Sequence, residues 1–248
     1  MQPRSALRIS ASDLKVQDRV VACESWAVPP PIHRVPVELI RNIFLLIKAI
    51  ASPEEQQDNP HLGGIRTWMA VSHVCSRWRR IALETKDFWT YIPLRARNLG
   101  STQLALERSA PLPISFNIGY RFSMQAKYQE AAMLALRELP RARELYLWLD
   151  NGKSKDDDAA REDFVNTVDE ALYSNPAPLL ERFESAKGYH DRCLFLGQVP
   201  QNLRVLMLRD SEQSSISNLL QAPLKSLQLL NCEIKVLEIL QAQQRGAP

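Results

Sequence analysis

Glycine is scarce in this chain, with 8 in 248 residues. None of them builds a phosphate-cradling loop or a Gly-x-Ser-x-Gly elbow, so nucleotide chemistry and serine-nucleophile hydrolysis lack their local signatures. The four cysteines, Cys23, Cys75, Cys193 and Cys232, lie far apart and form no Cys-x-x-Cys pair. That spacing argues against a zinc site or a disulfide framework and fits a reducing compartment. No apolar run approaches the roughly 18–20 residues that a membrane-spanning helix needs, and the N-terminus lacks a secretory h-region. Charge of one sign is also missing: the net charge is +3 over the whole length, too little to argue for nucleic acid as a partner. What remains is a chain with an ordinary apolar fraction of 45%. It can bury a core as one large domain or two small ones. A cytoplasmic or nuclear protein is the expectation, with no membrane partner and no cofactor.

Residues 1–28 mix charges and small residues without a sustained period and read as a linker or weakly ordered arm. Pro29-Pro30-Pro31 stiffens the chain ahead of a first helix, because each ring fixes φ. Pro36 suits the first turn of that helix, where its missing N–H would have had no partner. Leu39, Ile40, Ile43, Phe44, Ile47 and Ile50 follow at spacings that line one face, and Ser52-Pro53 ends the run. The polar stretch from Glu54 to Gly64 reads as a loop. Helical spacing resumes through Ile65, Trp68, Met69, Val71, Val74, Cys75, Trp78, Ile81 and Ala82. Phe88 and Trp89 close the segment as its last large apolar anchors. On this reading residues 29–94 form one helical module and 95–248 a second region.

In the second region helical stretches alternate with short apolar runs. The spacing predicts helices at Leu99–Arg108, Met124–Leu139, Arg161–Ser174, Ile216–Gln221 and Ile234–Gln244. It predicts strands at Leu112–Ile118, Glu144–Leu149, Arg182–Ser185, Arg204–Leu208 and Ser226–Leu230. The last strands repeat: Leu203-x-x-Leu206-x-Leu208-x-x-Ser211 returns 21 residues later as Leu224-x-x-Leu227-x-Leu229-x-x-Cys232. Leu180-x-x-Phe183-x-Ser185 and Ala142-x-x-Leu145-x-Leu147 fit the template more loosely. Such a step is the signature of leucine-rich repeats, with a strand on the concave side and a helix or turn on the convex side. The expected fold is therefore a small helical module followed by a short, irregular, leucine-rich-repeat-like α/β solenoid. The Gln-rich ending after residue 240 reads either as a polar cap or as a truncated array.

Chemistry-bearing residues are dispersed. His33, His61 and His190 lie in turn-like contexts. His73 and Cys75, two apart on a helix, would point in different directions, so Cys75 reads as packing. Asp156-Asp157-Asp158 lack the alternation of a calcium loop and read as a solvated loop tip. Arg77, Arg79 and Arg80, with Arg95 and Arg97 beyond, could bind phosphate or steer an acidic protein partner. Because strand residues alternate sides, Arg182, Glu184, Arg204, Met207, Arg209, Gln228 and Leu230 are the candidate ligand-facing positions of the repeats.

Two stretches together carry a family resemblance. Val35-Pro36-Val37-Glu38-Leu39-Ile40-Arg41-Asn42-Ile43-Phe44 is followed by Val71-Ser72-His73-Val74-Cys75-Ser76-Arg77-Trp78-Arg79-Arg80-Ile81-Ala82 and then Phe88-Trp89, with Ile92 and Leu94 beyond. This ordered combination resembles the F-box family, in the form common among mushroom-type fungi, over roughly residues 32–94. Val35 stands where that family has leucine, and the loop before the second helix is longer than in its compact members. The resemblance implies a non-catalytic adaptor whose three-helix module packs on the Skp subunit of a cullin-RING ubiquitin ligase, while the remaining region selects a protein substrate. By the same resemblance the adaptor-facing residues are Val35, Pro36, Leu39, Ile40, Ile43 and Phe44, with Val74, Cys75 and Trp78 contributing. Some of these must instead form the module's own core. Two further readings stand beside this one. The helices could merely cap a repeat scaffold, since the end of a stack needs covering; or scattered histidines and aspartates could belong to an enzyme.

Overall fold

The structure is a computed structural model that describes residues 31–50, 70–94, 99–119, 125–149, 158–186, 188–189 and 192–232. A 3-10 turn at Pro31–Arg34 leads into helix α1, Val37–Ile50. The Pro36 carbonyl accepts the first helical bond from Ile40 N–H at 3.2 Å, and Glu38 sits in the first turn, where a carboxylate favours the helix dipole.

The next helix is interrupted where the apolar spacing predicts continuity. Ala70–His73 form a 3-10 turn, and helix α2 runs only from Ser76 to Glu84. Cys75 is the break: its backbone is extended, and its sulfur accepts from Trp78 N–H at 3.5 Å, as a capping oxygen would. Cys75 is thus a cap and not a residue of a helix face. At the other end Thr85 returns both N–H and hydroxyl to the Ile81 carbonyl. A 3-10 turn, Lys86–Trp89, then drives Phe88 and Trp89 inward, and Trp89 Nε1 donates to Ala82 O at 2.9 Å.

Strands β1 (Tyr91–Ile92), β2 (Ile114–Gly119), β3 (Ala142–Trp148), β4 (Arg182–Ser185), β5 (Val205–Arg209) and β6 (Ser226–Leu230) form one parallel sheet whose spatial order is the chain order. Parallel neighbours need crossovers. Helices α3 (Leu99–Ser109), α4 (Ala126–Leu136), α5 (Asp158–Ser174) and α6 (Gln213–Leu220) provide four of them, and the β4–β5 connection carries a 3-10 turn at Phe195–Gly197. The fold is mixed α/β; among the described residues, 31–94 carry two α-helices and three 3-10 turns in place of the expected three-helix module. The expected helix from Met124 to Leu139 is shorter, ending at Leu136 before a separate 3-10 turn that holds Pro140. The expected helix at 234–244, the arm at 1–28 and the loop at 54–64 lie outside the described residues.

Every copy of the apolar template stacks in register. Leu145 lies beside Phe183, Phe183 beside Leu206 and Leu206 beside Leu227; Leu147, Ser185, Leu208 and Leu229 form the next row. Leu145, Leu147, Phe183, Leu206 and Leu208 are buried in one cluster with helix residues such as Tyr128, Phe164, Val168, Leu172, Ile216 and Leu219; Ser185 is buried and polar, and the β6 leucines are packed at the margin of the cluster. The strand ends repeat as well. Asp210 and Asn231, 21 residues apart, both take left-handed backbone with φ 52° and 54°. Ser211 Oγ and Cys232 Sγ follow them and donate to Arg209 O and Leu230 O respectively. Short polar side chains tolerate that backbone better than most.

A single hydrophobic cluster extends from Ile40 and Phe44 through the sheet to Ala222. The join across residue 94 is made by α3: Thr102 Oγ1 donates to Pro93 O, Arg108 Nη1 to Leu83 O, and the Arg108 guanidinium stacks 5.5 Å from the Trp89 ring. Lys86 Nζ also reaches Ala110 O at 2.9 Å.

Candidate functional site

Helix α1 has two apolar flanks with different fates. Ile40 and Phe44 are completely buried, with the Phe44 ring 5.2 Å from Trp78 and 5.7 Å from Phe88. Leu39, Ile43 and Leu46 lie on the adjacent flank and remain 52%, 38% and 62% exposed. Their spacing of four and then three residues makes one stripe along the helix. Ile32, 40% exposed in the first 3-10 turn, and Val74, 60% exposed just after the second, add apolar surface. An apolar stripe held outward by a buried neighbouring flank is a surface that gains from being covered.

The residues expected at a partner surface therefore divide. Leu39, Ile43 and Val74 face solvent; Pro36 is exposed and Val35 half-buried; Ile40 and Phe44 are core; Trp78 packs on Phe44; Cys75 caps α2. Leu46 and Ile32 were missed by sequence reasoning. Leu46 continues the Leu39–Ile43 spacing and was within reach of the helical pattern, whereas Ile32 sits in a 3-10 turn that has no apolar period to read.

Two of the three clustered arginines bond to backbone carbonyls of their own module. Arg77 donates to three carbonyls of the segment that precedes α1: Ile32 O, His33 O and Val35 O, the last at 2.7 Å. Arg79 Nε donates to Ser72 O at 3.1 Å. Arg80 is exposed, and Arg95 and Arg97 lie outside the described residues. Near the other end of α1, Lys48 Nζ donates to Asp87 O and Thr90 Oγ1, both at 2.6 Å. Burial lowers the Lys48 ammonium to about 8, against the opposing pull of Asp87 and Glu144. Lys48 thereby ties α1 to the turn that opens the sheet.

The face of the sheet turned away from the helices is polar. Its positions, in register from β3 to β6, include Glu144 beside Arg182 and Val205, then Tyr146 beside Glu184, Met207 and Gln228, then Arg209 beside Leu230. Arg182 Nη1 pairs with Glu184 Oε1 at 3.0 Å, and Tyr146 OH donates to Glu144 Oε2 at 3.2 Å. Glu184 is 5% exposed; burial raises its carboxyl, with Arg182 pulling the other way. Burial likewise pushes Tyr146 up to about 12. Towards β6 the face opens: Gln228 and Leu230 are exposed, Met207 and Arg209 half-buried. Six of the seven expected positions share this face. Arg204 does not. It precedes β5, in the alternation of Leu206 and Leu208, and its guanidinium donates to Gln201 O and Pro223 O. Val205 takes the place expected for it.

Among the described residues no group of three His, Cys, Asp or Glu side chains is arranged to hold a metal ion, and no helix is long and apolar enough to cross a membrane. No protein-family model, no curated protein and no solved structure matches this chain.

Proposed function

We propose that this chain is a substrate-recognition adaptor of a Skp–cullin–F-box ubiquitin ligase, acting in the cytoplasm or nucleus. The observation that carries the reading is the division of α1: Ile40 and Phe44 anchor it, while Leu39, Ile43 and Leu46 stand outward. That is the arrangement an adaptor-binding helix needs, because the same element must fold with its own chain and still offer apolar area to another. Burying three such side chains against a partner would contribute about 1 kcal/mol or more each, scaled from the value for full burial. In this reading the module at 29–94 binds the Skp subunit.

The second region is proposed to be a short leucine-rich-repeat array. Four template copies stacked in register, and the repeated left-handed turn after β5 and β6, support that assignment. Its polar face, with Arg182, Glu184, Met207, Arg209, Gln228 and Leu230, would receive a protein substrate. The chain itself breaks no bond and needs no cofactor. Its contribution is proximity, since holding a substrate near a charged ubiquitin carrier raises the effective concentration of the reacting groups. Affinity capture of the full chain from cells, with and without proteasome inhibition, tests the assignment. Skp adaptor and cullin should be recovered in both, and a capture that lacks the adaptor contradicts it.

A second reading, in which the helices only cap the repeat sheet, is favoured by one observation: the hydrophobic cluster and the α3 contacts run unbroken across residue 94. Binding of the adaptor to α1 separates the two readings, because a simple cap has no partner for its outer stripe.

A further inference from the structure

Arg77 reads from sequence as a surface cation, yet its guanidinium is turned onto the chain that launches α1. We infer that Arg77 is a positioning residue of the docking surface, a clamp that holds the Ile32–Val35 segment in place so that Ile32 and the start of α1 are presented ready-made to a partner. The inference rests on the adaptor reading given above for what the partner is.

The physical need for a clamp lies in the segment itself. Pro31 and Pro36 carry no N–H, so a short 3-10 turn between them has few donors of its own. Three carbonyls, Ile32 O, His33 O and Val35 O, converge instead on one guanidinium. Arginine suits this role and lysine does not, because its planar fork offers five donors in fixed directions. Arg77 lies in the first turn of α2, behind the Cys75 cap. The clamp therefore joins the two helices of the module at the end where Ile32 and Val74 are both exposed. Losing it leaves the folded core of Ile40, Phe44 and Ile81 intact but frees the leading segment. A partner must then order that segment on binding, which weakens affinity.

The test uses the full chain, a purified Skp-family adaptor as probe, and the variants Arg77→Lys and Arg77→Ala. The clamp predicts affinity in the order arginine, lysine, alanine, with alanine weaker by about tenfold or more, as for losing charge-assisted hydrogen bonds. The loss should fall on dissociation, and amide exchange over residues 32–40 of the free protein should rise with the thermal midpoint little changed. Full rescue by lysine, with the defect confined to a salt-dependent association rate, would overturn the clamp in favour of charge steering. Unchanged affinity and exchange in Arg77→Ala would overturn it outright. So would a loss of binding that only tracks the unfolded fraction. If the wild-type chain does not bind the adaptor, the ligase reading fails; the exchange measurement needs no partner and still judges the clamp.

Discussion

Two substitutions two residues apart on α1 should behave as if they belonged to different proteins. Phe44 is fully buried between the rings of Trp78 and Phe88. Truncating it to alanine removes its transfer free energy and leaves a cavity, together about 3–5 kcal/mol. Leu46, 62% exposed, has already forgone most of its burial, so Leu46→Ala should cost about 1 kcal/mol at most, a fraction of the full-burial value. The gap between the variants is then about 2 kcal/mol or more, a large share of the stability of a typical domain. Because the hydrophobic cluster is continuous from α1 to α6, the loss at Phe44 should appear in the main urea transition. The assay is equilibrium urea unfolding followed by tryptophan fluorescence, read as a shift in midpoint at constant slope. Equal costs at the two positions would refute the assignment of inner and outer flanks, and with it the reason for treating Leu39, Ile43 and Leu46 as a docking stripe.

Further expectations concern single contacts. The folded Lys48 ammonium, at about 8, titrates below its ordinary 10.5. Between those values the folded state binds fewer protons than the unfolded one, so this residue makes stability rise with pH across that window. Lys48→Met should flatten the rise; an unchanged slope in pH-dependent unfolding would show that Lys48 is not desolvated. Asn218 Nδ2 donates to Leu194 O and Gln198 O, both at 2.8 Å, and holds the turn between β4 and β5 to α6. Asn218→Ala should cost about 1–3 kcal/mol, since it strips one buried and one part-buried carbonyl of their donor, and a calorimetric midpoint equal to wild type would contradict that role.

Much of the second region was legible in the sequence. Strands at Arg182–Ser185 and Ser226–Leu230 appear with the expected bounds, because each carries the apolar template of the repeat. The 21-residue step is the clearest case, since the same leucines that repeat along the chain lie side by side in space. The failures have local causes. Helical spacing runs on through Val74 and Cys75, but spacing cannot show that a thiol will cap the next helix. Arg204 and Val205 differ by one residue, and a one-residue error in a strand's alternation exchanges its two faces. Ile40 and Leu39 illustrate the same difficulty on α1. Both belong to the apolar stripe, and only the packing of α1 into the hydrophobic cluster decides which is covered. Arg77 was misread because sequence gives charge but not direction.

The most direct measurement is calorimetric titration of a purified Skp adaptor into the full chain and into a Leu39→Asp/Leu46→Asp variant, whose substitutions lie on exposed positions and should leave the fold intact. The wild-type chain should bind with one site and a negative heat-capacity change, the mark of apolar burial, and the variant should lose that binding while melting normally. Undiminished binding by a folded variant, or no binding by the wild-type chain, would contradict the account.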